Sequence, residues 1–160
     1  MALDAATLAL TAAELKTTLV DAKIAKLFEP TRDELVITLR TRTDTYCLLL
    51  SARSGSARVC LTEESFENPE TPPSFCMLMR KHLTGGRLID VRMEPGDRIV
   101  YFEFLCTNEM GDLVHNILCA ELMGRYSNLV LVQNGRIIDA LKRVDFEDSD
   151  VRQLLPGLPY

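Results

Sequence analysis

A chain of 160 residues with 47% apolar and 26% charged content is long enough for one ordinary hydrophobic core and too short to argue for two. Its 18 Lys and Arg against 23 Asp and Glu leave a net charge of −5, which excludes diffuse whole-surface attraction to nucleic acid, so any RNA contact must use a local basic patch. The opening Met1-Ala2-Leu3-Asp4 has no basic or long apolar leader, and no uncharged apolar run approaches the roughly 18 residues of a spanning helix; the expectation is a cytoplasmic protein with no membrane partner.

Asp4 is placed to cap a helix over 5–19 whose apolar stripe, Leu8, Ala12, Leu15 and Leu19, follows the 3.6-residue period. Stretches rich in β-formers come next: Lys23 to Phe28, Glu34 to Arg40, Tyr46 to Ser51 and Arg58 to Leu61. Pro30-Thr31-Arg32-Asp33 and Ser54-Gly55-Ser56 separate them as turns, which predicts an antiparallel meander. Pro69 to Pro73 leads into a second helix, with Phe75, Leu78, Met79 and Leu83 at helical spacing and Gly85-Gly86 as its stop.

Five further strands follow, Arg87 to Met93, Arg98 to Thr107, Leu113 to Glu121, Leu129 to Val132 and Arg136 to Leu141, punctuated by Pro95-Gly96, Gly111-Asp112 and the hairpin signal Asn134-Gly135. Roughly nine strands and two main helices predict an α+β domain, an antiparallel β-sandwich or flattened barrel. The ending Leu154-Leu155-Pro156-Gly157-Leu158-Pro159-Tyr160 is too apolar for a free tail, so it either folds back or leads into another domain.

The residues offer little self-contained chemistry. Cys47, Cys60, Cys76, Cys106 and Cys119 are odd in number and widely spaced, which suits reduced core thiols better than zinc or redox pairs. His82 and His115 have no second ligand at metal spacing, and the dipole of the second helix favours a partly charged His82. Gly85-Gly86 follows a helix instead of opening one, so it reads as a cap and not a phosphate cradle. Glu63-Glu64-Ser65-Phe66-Glu67 reads as a solvated loop, and no Ser, Cys or Thr has an activating setting such as G-x-S-x-G. The expectation is a binding protein and not an enzyme, with no catalytic residue, cofactor or metal.

Two places invite a second reading. Pro95-Gly96-Asp97-Arg98 sets an acid beside a base before an apolar strand; Asp97 suits a turn and Arg98 a strand edge, yet the pair also suits recognition. Glu121-Leu122-Met123-Gly124-Arg125-Tyr126-Ser127-Asn128 is either a structural turn or a loop able to contact phosphate, sugar or base edges.

The run Pro72-Pro73-Ser74-Phe75-Cys76-Met77-Leu78-Met79-Arg80-Lys81-His82-Leu83-Thr84-Gly85-Gly86-Arg87 resembles the signature of the amino-terminal domain of the NFACT family. Glu67-Asn68-Pro69, Gly96-Asp97-Arg98-Ile99-Val100, the 121–128 segment, Asp139-Ala140-Leu141-Lys142-Arg143-Val144 and Leu155 to Tyr160 extend the likeness across the chain. The resemblance implies one NFACT amino-terminal domain over 1–160, the first part of a longer multidomain protein. It further implies a fold similar to the amino-terminal domain of formamidopyrimidine-DNA glycosylases. Their chemistry does not carry over, because they use an amino-terminal proline and adjacent glutamate where this chain has Ala2 and Leu3.

Family resemblance also implies a role in ribosome-associated quality control. The partners would be tRNA, alanyl-tRNA in bacteria, and the large ribosomal subunit holding a peptidyl-tRNA, with template-free alanine tailing of the stalled chain as the outcome. The implied tRNA contacts are Asp97, Arg98, Glu121, Met123 and Arg125, with Tyr126, Asn128, Arg80 and Lys81 as further RNA contacts. Tyr126 stands where the family often has His, and either ring can stack. A fibronectin-binding adhesin, a label bacterial relatives have carried, is the alternative; a DNA partner is not expected.

Overall fold

A computed structural model of the chain describes residues 4–145, 147–149 and 152–160. Two helices, α1 (Ala5–Leu19) and α2 (Ser74–Leu83), accompany nine strands: β1 (Lys23–Thr31), β2 (Glu34–Arg40), β3 (Thr45–Ser51), β4 (Arg58–Thr62), β5 (Arg87–Met93), β6 (Ile99–Thr107), β7 (Leu113–Glu121), β8 (Asn128–Gln133) and β9 (Arg136–Ala140). The strands form one sheet in the order β4-β3-β2-β1-β5-β6-β7-β8-β9, antiparallel throughout.

The middle of this sheet is narrow: β1 and β5 share a single residue pair, Lys23 opposite Arg87. On either side of that joint the two halves turn their apolar faces to a common core, where Ile37, Leu48 and Leu50 join Phe102, Phe104, Leu118 and Leu131. The expected sandwich is therefore a single ladder folded across its joint. Among the described residues no pairing of β4 with β9 closes it into a barrel.

Asp4 Oδ1 accepts a hydrogen bond from the Thr7 amide at 2.7 Å, and the stripe buried by α1 is the one its periodicity predicts, Leu8, Ala12, Leu15 and Leu19. On α2, Phe75, Cys76, Met79 and Leu83 are buried. Arg80 fastens that helix to β1, donating from Nε to the Leu27 carbonyl at 2.8 Å with its guanidinium 5.5 Å from the centre of the Phe28 ring. Gly85 has φ +82°, and a Cβ on Gly86 would lie 2.6 Å from Cys106 Sγ, so the pair both ends α2 and lets the chain run against β6. His82 departs from the helix-dipole expectation. Burial, reinforced by Lys81, lowers its pKa below the ordinary 6.5, which favours the neutral ring.

The carboxy-terminal segment folds back. Leu154 bridges to Val144 and Pro159 to Arg136, and Leu154 closes a small second core with Cys119, Val130, Val132 and Ile137. This explains why β8 reads as an apolar run: Leu129 and Leu131 face the main core, Val130 and Val132 the second.

Cys76, Cys106 and Cys119 are buried, whereas Cys47 and Cys60 on β3 and β4 are half-buried. Burial raises the Cys106 thiol and pushes Cys119 up to about 12. A disulfide-exchange reagent should accordingly modify Cys47 and Cys60 first and leave the three buried thiols unreacted until denaturant is added. Rapid modification of Cys119 in the native protein would contradict this packing.

Glu29 on β1 is 5% exposed, its Oε1 has no hydrogen-bond partner among the described residues, and burial raises its carboxyl to about 7 against a weaker opposing bond from the Cys76 amide. A raised acid contributes stability that is complete below its ordinary value of 4.5 and is lost as pH rises through 7. Glu29→Gln should thus stabilise the fold by about 1–2 kcal/mol at pH near 8 and by almost nothing at pH near 4. Urea unfolding at both pH values measures this, and equal effects at the two would refute it.

Candidate nucleic-acid interface

The turn before β6 is built around Gly96, at φ +75°. Asp97 Oδ1 accepts from the Arg98 amide at 2.8 Å, and both residues are half-buried. Strand register then does what the sequence does not announce. Ile99 stands opposite Glu121, and the Leu122 amide donates to the Arg98 carbonyl at 2.9 Å, so the Asp97-Arg98 turn and the 121–128 segment meet at one end of β6 and β7.

Beyond β7 the chain enters a short 3-10 helix, Gly124–Tyr126, starting with Gly124 at φ +58°. Ser127 builds this bend: its Oγ accepts from the Met123 amide at 2.9 Å and donates to the Gly124 carbonyl at 2.6 Å. Asn128 is buried, donating to the Lys142 carbonyl at 2.7 Å and accepting from the Lys142 amide at 2.9 Å. The same segment is thus turn and presenting loop at once. Ser127 and Asn128 face inward, while Arg125 and Tyr126 are exposed as a stacked pair, with the guanidinium 4.9 Å from the ring centre and Nη2 donating to the Tyr126 hydroxyl at 2.7 Å.

Glu121 is only 1% exposed. Arg152 grips it with two bonds, Nη1 to Oε1 at 3.1 Å and Nη2 to Oε2 at 2.6 Å, and the Tyr160 hydroxyl donates to Oε2 at 2.6 Å. Arg152 also lies over the Tyr160 ring, 5.3 Å from its centre. The carboxylate raises the Arg152 pKa, and burial together with the neighbouring negative groups pushes the Tyr160 phenol well above its ordinary range. A cleft of about 420 Å3 opens beside this clamp, with Met123, Arg125, Lys142, Arg152 and Leu154 among its walls.

The fold therefore brings Asp97, Arg98, Glu121, Met123, Arg125, Tyr126 and Asn128 to one end of the sheet. It does not bring Arg80 and Lys81 there. The carboxy end of α2 lies near Asn116, whose Nδ2 donates to the His82 carbonyl at 2.9 Å. Asn116 is five residues from Glu121 along β7, about 17 Å. Lys81 is exposed and paired with Glu109 at 3.4 Å. Sequence reasoning assigned no part to Arg152, Tyr160 and Lys142. A glutamate among the apolar residues Ile117, Leu118, Cys119, Ala120 and Leu122 was the available signal, because a buried carboxylate requires a cationic or donor partner from elsewhere in the chain.

Comparison with known proteins gives this site a setting. The family model for NFACT N-terminal and middle domains matches residues 4–160. The Rqc2 homolog RqcH of Streptococcus suis is 38% identical over 150 residues, covering 92% of this chain and 27% of that protein. Ribosome quality control complex subunit 2 of Saccharomyces cerevisiae is 33% identical over 93 residues, 58% of this chain and 8% of the yeast protein. The crystal structure of the N-terminal domain of fibronectin-binding protein PavA from Streptococcus pneumoniae superposes with a TM-score of 0.90 at 37% identity, over 93% of this chain and 57% of that one. The chain spans about a quarter of the length of its bacterial relative. On the family match and the identity across nearly all its length, the chain belongs to the NFACT family.

Proposed function

We propose that this chain is the tRNA-binding and large-subunit-binding module of a cytoplasmic ribosome-associated quality-control factor that promotes template-free alanine tailing of stalled nascent chains. It acts by binding, without catalytic residues or a cofactor of its own, and charged tRNA, alanyl-tRNA in a bacterial setting, is its principal ligand. The observation that carries this reading is the convergence of the Asp97-Arg98 turn and the Met123–Tyr126 bend through the bond between Leu122 and Arg98. Arg98 and Arg125 can each present a planar fork of donors to phosphate or base edges, and exposed Tyr126 offers a stacking face. In this reading Glu121 and Asn128 hold the site in shape, and Arg80 secures α2.

Net charge −5 opposes a polyanion, so this chain alone should bind tRNA weakly and the full-length protein more tightly. The name of the structurally similar PavA domain favours a second reading, fibronectin binding. Even a glycosylase-like fold would bring no glycosylase chemistry with it, and Ala2 and Leu3, which bear on that chemistry, lie outside the described residues. Filter binding of the full-length protein to tRNA, fibronectin and damaged duplex DNA at matched salt tests the proposal. Salt-sensitive retention of tRNA is expected; retention of fibronectin or DNA in its place overturns it.

A further inference from the structure

At the narrow joint of the sheet, three cations stand in a row. Lys23 of β1 is opposite Arg40 of β2 on one side and Arg87 of β5 on the other. Arg42 lies two residues beyond the end of β2, and all four side chains are exposed around a single groove of about 1360 Å3, in which Asp21 is the one acidic residue among the described lining. None of the four forms an ion pair among the described residues. Like charges directly opposite one another on neighbouring strands are destabilising, so the fold bears a cost that no ion pair among the described residues offsets. A chain with net charge −5 concentrates four of its 18 Lys and Arg here.

We infer that the row Arg40-Lys23-Arg87, with Arg42 beside it, is a second RNA-contacting surface that grips the phosphodiester backbone of duplex RNA. The groove exceeds the roughly 300–1,000 Å3 of a small-molecule pocket, which suits a polymer better than a single anion. The three strand cations are spaced at about 5 Å, and three of the four are arginines able to fork onto phosphate oxygens. Tyr46 is the one aromatic in its lining, too little for the stacking platform that unpaired bases require. Contact is therefore with backbone and helical shape, as expected for double-stranded RNA.

This surface is separate from the Asp97-Arg98 site. Arg87 pairs with Leu105, six residues along β6 from Ile99, about 20 Å away. Choosing RNA over an acidic protein rests on the quality-control reading above, since both polymers are anionic.

The test uses the full-length protein and a short mixed-sequence RNA duplex, with polyglutamate of similar charge as the rival ligand. The triple variant Lys23→Ala/Arg40→Ala/Arg87→Ala should lose about tenfold in duplex affinity at about 0.15 M salt, and its plot of log affinity against log salt should flatten by about 2–3. The charge-keeping Lys23→Arg/Arg40→Lys/Arg87→Lys should stay near wild type in slope. Melting should be unchanged or later in the triple variant, because a repulsion has been relieved. If the triple variant melts early, Arg40→Ala alone decides, with an expected flattening of about 1.

An unchanged slope in the folded alanine variants, or polyglutamate bound more tightly than duplex by the wild type, overturns this assignment. Retention of tRNA, measured in parallel, judges the quality-control reading separately. That reading fails if wild type does not hold tRNA, whatever the row does with duplex.

Discussion

Arg152→Ala is expected to destabilise the fold by about 3 kcal/mol, the largest loss from any single polar side chain described above. The substitution leaves Glu121, 1% exposed, with the Tyr160 hydroxyl as its one side-chain donor among the described residues, and an uncompensated buried carboxylate costs far more than a surface ion pair contributes. It also removes the side chain that stacks on Tyr160 and so weakens the closure of the second core by Leu154. Arg152→Lys should recover only part of the loss, because one ammonium cannot reproduce two parallel bonds to both oxygens. The removal of both partners, Glu121→Gln with Arg152→Met, should cost less than Arg152→Ala alone, since no buried charge remains. Urea unfolding of the four proteins measures the series. A loss below about 1 kcal/mol for Arg152→Ala would mean that the clamp is ornamental.

Much of this fold was legible in the residues because local periodicity and burial agree. The α1 stripe, the alternation of β6 around Val100, Phe102 and Phe104, and the Asn134-Gly135 hairpin, both of whose residues have positive φ, are local patterns that packing leaves intact. What stayed hidden is set by distant pairing. Nothing near Lys23 says that Arg40 and Arg87 will flank it, because that depends on which strands become neighbours. The apolar ending reads as folding back or as leading into another domain, and the structure shows it folded back, with the Tyr160 hydroxyl on Glu121, far away in sequence. The site was legible as two separate motifs. Their union needed the register that places Ile99 opposite Glu121.

On the proposed function, Asp97→Ala and Arg98→Ala, each alone, are expected to abolish tRNA recruitment and alanine tailing by the full-length protein while leaving attachment to the large subunit mostly intact. Structural reasons predict small folding costs. The contact that ties the turn to the 121–128 segment runs from the Leu122 amide to the Arg98 carbonyl, a main-chain bond that alanine keeps. Asp97→Ala gives up its bond to the Arg98 amide at a half-exposed position, which costs about 0.5–1 kcal/mol. Asp97→Ala should therefore cost no more than about 1 kcal/mol, and Arg98→Ala, at a half-exposed position whose main-chain bond alanine keeps, is expected to stay near that figure. The functional loss would have a different origin in the proposed reading, where Arg98 supplies the donor fork and the Asp97 carboxylate, fixed by its bond to the next amide, turns its second oxygen to a base amino group or ribose hydroxyl. Arg98→Lys separates charge from shape, since an ammonium preserves attraction to phosphate but cannot fork, so tailing should stay well below wild type. Thermal melts, pull-down of tRNA with the large subunit, and gel analysis of tailed chains read the three properties independently. Early melting of both alanine variants, or tailing that survives in them, would make the pair part of the turn's architecture and remove the basis for placing tRNA at this end of the sheet.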